Sequence, residues 1–210
     1  MDRTDNLEKE IELAARSLLA GGVVVYPTET FYGLGASLGV LGGVERLIAI
    51  KGRLAGKPLP VIAADEVSAR SLWREFPVLA GRLAARFWPG PLTIVLPARE
   101  GVPRCVAPMG EVGVRVSPHP VALSLTRLVG PLVATSANLA GGGEKTCVAE
   151  LDPAVVARVD AVIDAGMTPG GRPSTVLRLC GDKARILREG AISRSTIASA
   201  VGEWGGAIDG

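Results

Sequence analysis

Short apolar runs alternate with stretches of helical spacing along most of this chain, and each run stops at glycine, proline or a polar turn. Strands interleaved with helices build a sheet with helices packed against it. Leu7, Ile11, Ala14, Ala15, Leu18 and Leu19 recur at helical spacing, and Gly21-Gly22 stops that helix. Val23 to Tyr26 reads as a buried strand. The next stretch, "YPTETFYGLG" (Tyr26 to Gly35), reads as a turn built to hold something. Val44, Leu47 and Ile48 predict a helix to about Lys51, and Leu59 to Asp65 a strand. Helices follow around Glu66–Trp73 and Val78–Phe87, then a Pro-Gly-Pro break and strands at Leu92–Leu96 and Val112–Ser117. "HPVALSLTRLVG" is helical, "PLVATSAN" carries a strand into a polar turn, and Asp152-Pro153 starts a short helix. "AVIDAG", "STVLRLC" and "ARILREG" are three further strands, and a final helix starts near Ser193. Because these late strands follow one another directly, the sheet is expected to be mixed rather than purely parallel. The expected fold is α/β: one domain over 1–210, a twisted mixed parallel/antiparallel sheet flanked by helices, with the tail 203–210 frayed.

Composition narrows the function classes. The net charge of +2 is too small to mark a nucleic-acid protein, so any anion site must come from locally gathered Lys and Arg. The start, "MDRTDNLEKE", lacks the basic and apolar regions of a signal peptide. No apolar run approaches the roughly 18 residues of a membrane span. Cys105, Cys147 and Cys180 are odd in number and widely spaced, against a disulfide framework or a C-x-x-C metal site. The lone histidine, His119, sits between two prolines. The expectation is a cytoplasmic, metal-poor protein.

Several polar clusters follow predicted strands, where ligands bind in open α/β sheets. They are Thr28-Glu29-Thr30 with Gly33 and Gly35; Lys51, Arg53 and Lys57 in "KGRLAGKP"; Arg115 in "VGVRV"; "TSAN" (Thr135 to Asn138); "GGRPST" (Gly170 to Thr175); and Arg188 in "ILREG". Each also has a structural reading. The threonines can cap a turn. The cations can offset a helix end. Ser136 and Asn138 can cap the next segment. Arg115 interrupts an alternating apolar strand and can be a surface arginine. Taken together, cations and hydroxyls at several strand ends, without a histidine or carboxylate pair, suit a site for anions rather than a hydrolase. There is no "GxxxxGK[ST]" phosphate loop, since "GGRPST" lacks the lysine, and no GxGxxG after a strand.

These clusters match a known pattern. "YPTETFYGLG", "KGRLAGKPL", "FWPGPLTIVL", "VGVRVSPHP", "ATSANLAG", "STVLRL" and "ILREG" occur in the order found in the YrdC/Sua5 family, and the chain resembles that family from about Gly22 to Arg188. It looks like the short, single-domain bacterial form, without the additional carboxy-terminal domain of longer members. The resemblance implies an L-threonylcarbamoyladenylate synthase. L-threonine, bicarbonate and ATP, with Mg²⁺, would give threonylcarbamoyl-AMP and pyrophosphate. The product would be handed to a transferase complex that makes N6-threonylcarbamoyladenosine in tRNA.

By motif position, the resemblance implies that Lys51 and Arg53 are catalytic. It places Arg53, Lys57, Ser136, Asn138 and Arg188 on ATP, and Thr30, Arg115, Ala134 and Ser174 on threonine. Glu29 or the glycine backbone would shape the same pocket. The chain departs from the pattern at Leu54, often proline, at Ile62 or Ala63, where some members carry histidine, and in the loop "LAGGGEK".

The implied chemistry needs no protein nucleophile, which agrees with the residue inventory. Two other readings stand beside it. One is an RNA-binding protein using the same basic concavity, but the stacking aromatics such a surface needs are scarce, and Phe87 and Trp88 suit packing. The other is a related carbamoyl-adenylate enzyme with another acceptor.

Overall fold

A computed structural model describes residues 3–52, 57–139 and 141–209. The helices are α1 (Arg3–Leu19), α2 (Leu41–Lys51), α3 (Glu66–Arg70), α4 (Val78–Phe87), α5 (Pro120–Val129), α6 (Pro153–Val156) and α7 (Arg194–Glu203). The strands are β1 (Val24–Pro27), β2 (Tyr32–Ser37), β3 (Val61–Ala63), β4 (Leu92–Pro97), β5 (Glu111–Val116), β6 (Leu132–Ser136), β7 (Ala161–Val162), β8 (Thr175–Cys180), β9 (Lys183–Arg188) and β10 (Ala207–Asp209). They form one sheet in the order β10-β9-β8-β4-β5-β3-β6-β2-β1-β7. It is mixed: β3 and β5, β4 and β8, β1 and β7, and β9 and β10 run parallel, and the remaining neighbours run antiparallel.

The two faces of the sheet are buried differently, and this creates the site. Side chains alternate across a strand. Val112 and Val114 of β5, Leu92, Ile94 and Leu96 of β4, and Leu177 and Leu179 of β8 point to one face. There they pack with Val44 and Leu47 of α2, Ala69 of α3, Leu79 and Leu83 of α4, and Ile197 and Val201 of α7. The other face is covered over only part of its width. Val24, Tyr26, Ile62, Leu132 and Ala134 meet Ile11, Ala14, Ala15 and Leu18 of α1 and Val121, Ala122 and Leu125 of α5. Beyond that patch the same face of β4, β5 and β8 lines a cavity.

Two elements differ from the expectations. The stretch after Tyr26, read as a turn throughout, is a hairpin. The turn is confined to Thr28–Phe31, and β2 follows, fully buried, paired with β1 through Tyr26↔Gly33 and Val24↔Gly35. Gly33 and Gly35 look like strand breakers, but their bareness is a packing requirement. A Cβ on Gly35 would lie 2.5 Å from Tyr26 Cε1, and one on Gly33 would lie 3.2 Å from the Thr135 carbonyl oxygen. The Tyr26 ring therefore lies directly against the bare Gly35 backbone. Gly35→Ala should cost about 1–3 kcal/mol through overpacking, read as a lower urea midpoint at unchanged m-value; an unchanged midpoint would refute the Tyr26 contact as the reason for glycine. The second difference is the tail. Ala207–Asp209, expected to fray, pairs in parallel with Lys183–Arg185 of β9, which supplies the backbone partners a frayed tail lacks.

Candidate functional site

The cavity, about 560 Å³, opens on the uncovered part of the sheet. Strand interiors supply much of its wall: Glu111, Gly113 and Arg115 from β5, Thr93 and Val95 from β4, and Val176 and Arg178 from β8. The expectation placed several polar clusters just after strands; strand interiors contribute as well. The period-two alternation that buries Val112, Val114 and Val116 turns Glu111, Gly113 and Arg115 to the opposite face.

Arg115 is therefore not a surface arginine. It is 8% exposed and lines the cavity. Its Nε lies 3.0 Å from Glu29 Oε1, an ion pair whose N–H does not align as a hydrogen bond. Ser117 Oγ donates to the other Glu29 oxygen and accepts from the His119 backbone N–H. Within the turn, Thr28 and Thr30 face the cavity, whereas Glu29 is absent from its lining. Thr28 Oγ1 donates to the Phe31 carbonyl at 2.7 Å and accepts from the backbone N–H groups of Thr30 and Phe31. Its capping role and its place in the wall coexist.

Tyr26, completely buried beside this pair, has no hydrogen-bond partner for its hydroxyl among the described residues. Burial, foremost, drives its pKa above the ordinary tyrosine value; Arg115 opposes that and Glu29 adds to it. His119 has a structural place. Its Nδ1 accepts from the Val121 backbone N–H at the start of α5. Burial lowers the imidazole pKa, against the pull of Glu29, which favours the neutral ring this cap requires.

Lys51, at the end of α2, is 7% exposed and reaches the cavity. Its Nζ donates to the Ser136 carbonyl at 2.8 Å, to Ser136 Oγ at 3.0 Å and to Asn138 Oδ1. Asn138 does not line the cavity. Its Oδ1 also accepts from Ser136 Oγ, and its Nδ2 donates to the carbonyls of Gly142 and Gly143. The S-x-N turn is thus joined to the lysine on one side and to the following loop on the other. Arg53 lies outside the described residues; Lys57 lines the cavity and is exposed.

Ser174, Thr93 and Arg188 form a third group. Ser174 and Thr93 are both buried, and their hydroxyls are 3.0 Å apart. Arg188 donates through Nε and Nη2 to the Ser174 carbonyl and through Nη2 to Ser174 Oγ. A register shift between β8 and β9 explains why Arg188 faces inward. Val176 pairs with Arg188 but Leu177 pairs with Ile186, so Leu187 is an extra residue, and both Leu187 and Arg188 line the cavity. Arg188 remains open to solvent as a residue, yet desolvation of its guanidinium, foremost, lowers its pKa. Arg115 adds to this effect and Glu144 counters it.

Thr30, Lys51, Lys57, Arg115, Ala134, Ser136, Ser174 and Arg188 all come together on one cavity. Several wall residues were missed by the sequence reading: Thr93, Glu111, Gly113, Glu144 and Arg178. Arg178 Nη2 pairs with Glu111 Oε2 at 2.7 Å. The one available signal for them was spacing, since Glu111 and Gly113 share the parity of Arg115, and Arg178 that of Val176. Among the described residues five cations line the cavity, Lys51, Lys57, Arg115, Arg178 and Arg188, against the carboxylates Glu111 and Glu144. Such a surface suits a polyanion together with a smaller anion. Among the described residues, Phe31 and Tyr32 are the aromatics on the cavity wall, and the tryptophans lie elsewhere. Trp73 stacks on Phe76 and on Trp88, and Trp88 Nε1 donates to the Leu92 carbonyl, all within the packed layer. No helix among the described residues is long and apolar enough to cross a membrane.

Comparison with known proteins places these features. Residues 16–190 match the Sua5/YciO/YrdC family model, described as telomere recombination. The threonylcarbamoyl-AMP synthase of Pyrococcus abyssi is 38% identical over 198 residues, which cover 93% of this chain and 58% of that protein. The Bacillus subtilis threonylcarbamoyl-AMP synthase is 37% identical, covering 96% of this chain and 60% of that protein. The chain thus spans about six-tenths of the length of these two relatives. The crystal structure of P. abyssi Sua5 complexed with L-threonine superposes with a TM-score of 0.88 at 37% identity, covering 96% of this chain and 59% of that one.

Proposed function

The chain belongs to the Sua5/YciO/YrdC family, and from that premise we propose that it is a threonylcarbamoyl-AMP synthase that joins L-threonine, bicarbonate and ATP. The observation that carries this reading is the single cavity in which Lys51, Arg115 and Arg188 converge with the hydroxyls of Thr30, Ser136 and Ser174. The relatives named for this activity and the threonine complex of P. abyssi Sua5 support it.

The threonine amine attacks the bicarbonate carbon. The bicarbonate hydroxyl leaves together with one amine proton as a single water, and a carbamate results. A carbamate oxygen then attacks the α-phosphorus of ATP, and pyrophosphate leaves. The protein's task is to bring a carboxylate, a carbamate and a triphosphate together. At an effective dielectric near 20, two unit charges about 4 Å apart repel by roughly 4 kcal/mol. Cations already fixed in place offset that repulsion without reorganising during the reaction. In this reading Arg115 and the hydroxyls of Thr30 and Ser174, with the Ala134 backbone, hold threonine. Lys51, Lys57, Ser136 and Arg188 hold the nucleotide, and Lys51 sits where the reacting anions meet. Arg53 would join them by motif position. Asn138 acts through the turn it holds rather than by facing the cavity.

Mg²⁺ would travel on the phosphates and supply further positive charge there; among the described residues no three His, Cys, Asp or Glu side chains gather to hold an ion. We place the reaction in the cytoplasm, with the adenylate handed to a transferase acting on tRNA.

The test is amino-acid selectivity. Serine lacks one methyl, worth roughly 1–3 kcal/mol in an apolar pocket. Valine keeps the shape of threonine but has no hydroxyl to exchange hydrogen bonds with those of the pocket, a larger loss. The expected order of kcat/KM is threonine, then serine, then valine. Valine turned over as well as serine would contradict a site that reads the hydroxyl through Thr30 and Ser174.

A further inference from the structure

We propose that Glu29 is a positioning residue that holds Arg115 by its Nε edge, so that the far end of the guanidinium meets the amino-acid carboxylate. This inference rests on the reading of Arg115 given above. Four observations carry it. Both side chains are almost fully enclosed, 9% exposed for Arg115 and 10% for Glu29. Arg115 lines the cavity and Glu29 does not, so the carboxylate stands behind the arginine rather than beside a ligand. Glu29 meets Nε, the inner nitrogen of the fork. Finally, Ser117 donates to the second Glu29 oxygen, and its own hydroxyl is held by the His119 N–H, so the carboxylate is fixed from the β5–α5 junction.

A buried ion pair is weak evidence of stabilisation, because well-packed apolar residues usually serve as well. A pair placed at a cavity wall therefore calls for a role in presenting a charge. Arginine can divide its donors between two carboxylates because its planar fork carries five N–H groups. With the Glu29 charge 3.0 Å from Nε, the ion pair anchors the inner nitrogen and leaves the Nη edge for the ligand. Orientation of this kind strengthens binding by reducing the ordering that the ligand would otherwise impose. The turn divides in the same way: Thr28 and Thr30 line the cavity while Glu29 between them meets the arginine.

Calorimetry with L-threonine, L-threoninamide and ATP, on wild type, Glu29→Gln, Glu29→Asp and Arg115→Ala, tests this. Threoninamide keeps the side chain and amine but lacks the carboxylate, so the threonine/threoninamide ratio reports the arginine–carboxylate contact alone. Glu29→Gln should reduce that ratio on the order of tenfold while ATP affinity stays within about twofold. Glu29→Asp, which keeps the charge on a shorter stem, should recover part of the ratio. A ratio unchanged in Glu29→Gln overturns the proposal. So does a parallel loss of threonine, threoninamide and ATP binding, which marks general damage to the fold. If Arg115→Ala itself leaves the ratio unchanged, the assignment of Arg115 to the carboxylate falls, and the role of Glu29 falls with it. If Arg115→Ala collapses the ratio and Glu29→Gln does not, the proposal for Glu29 alone is overturned.

Discussion

Lys51→Ala is expected to lower the rate of adenylate formation at saturating ATP and threonine by about 100-fold or more, or about 3 kcal/mol. Two features of Lys51 stand behind this magnitude. Its ammonium is enclosed, so its field is poorly screened by water. It also ties the end of α2 to the S-x-N turn through Ser136 and Asn138. Alanine removes both the charge and the tie. Asn138→Ala separates them, because it releases the same turn and keeps the lysine. If charge dominates, Asn138→Ala should lose only on the order of tenfold. Equal losses in the two variants would mean that Lys51 serves the turn rather than the reacting anions. Turnover near wild type in Lys51→Ala would remove it from the mechanism altogether.

Arg115→Ala should weaken threonine roughly 100-fold and ATP by no more than a few-fold. Truncating one partner of a desolvated charge pair commonly costs 2–5 kcal/mol, roughly. The substitution has a second consequence. It strands the Glu29 carboxylate in a buried position, and an uncompensated buried charge costs about 3–5 kcal/mol of stability. The variant should therefore unfold at lower urea than wild type. Combining Arg115→Ala with Glu29→Gln should recover much of that stability without recovering threonine binding. Restoration of threonine affinity in the double variant would show that the single substitution acted through the fold. Threonine affinity unchanged in Arg115→Ala would show that some other group meets the carboxylate.

The features legible in the sequence are those that depend on local pattern. Helical spacing located α1, α4 and α5, and the consecutive late strands implied a mixed sheet. The features that were not legible depend on partners distant in the chain. Gly33 and Gly35 read as part of the turn because nothing local reveals the Thr135 carbonyl and the Tyr26 ring that need the space. The tail became β10 because β9 offers it an edge. Arg115 was singled out, but its burial depends on Glu29, which lies on another element. The inward turn of Arg188 requires the β8–β9 register shift at Leu187, which no side-chain pattern announces. Asn138 was grouped with the nucleotide contacts by motif position, whereas its hydrogen bonds run to Lys51, Ser136 and the loop beyond. Thr93 was hidden in an apolar run, and its significance comes from Ser174, which adjoins it across the sheet.

Incubating the protein with ATP, isotopically labelled bicarbonate and each amino acid in turn, and following pyrophosphate and adenylates by mass spectrometry, tests the central claim most directly. The account predicts that threonine gives the greatest turnover, that pyrophosphate release requires bicarbonate, and that the adenylate carries the labelled carbon between the threonine nitrogen and AMP. Pyrophosphate released without bicarbonate, or an aminoacyl adenylate lacking the label, would contradict it.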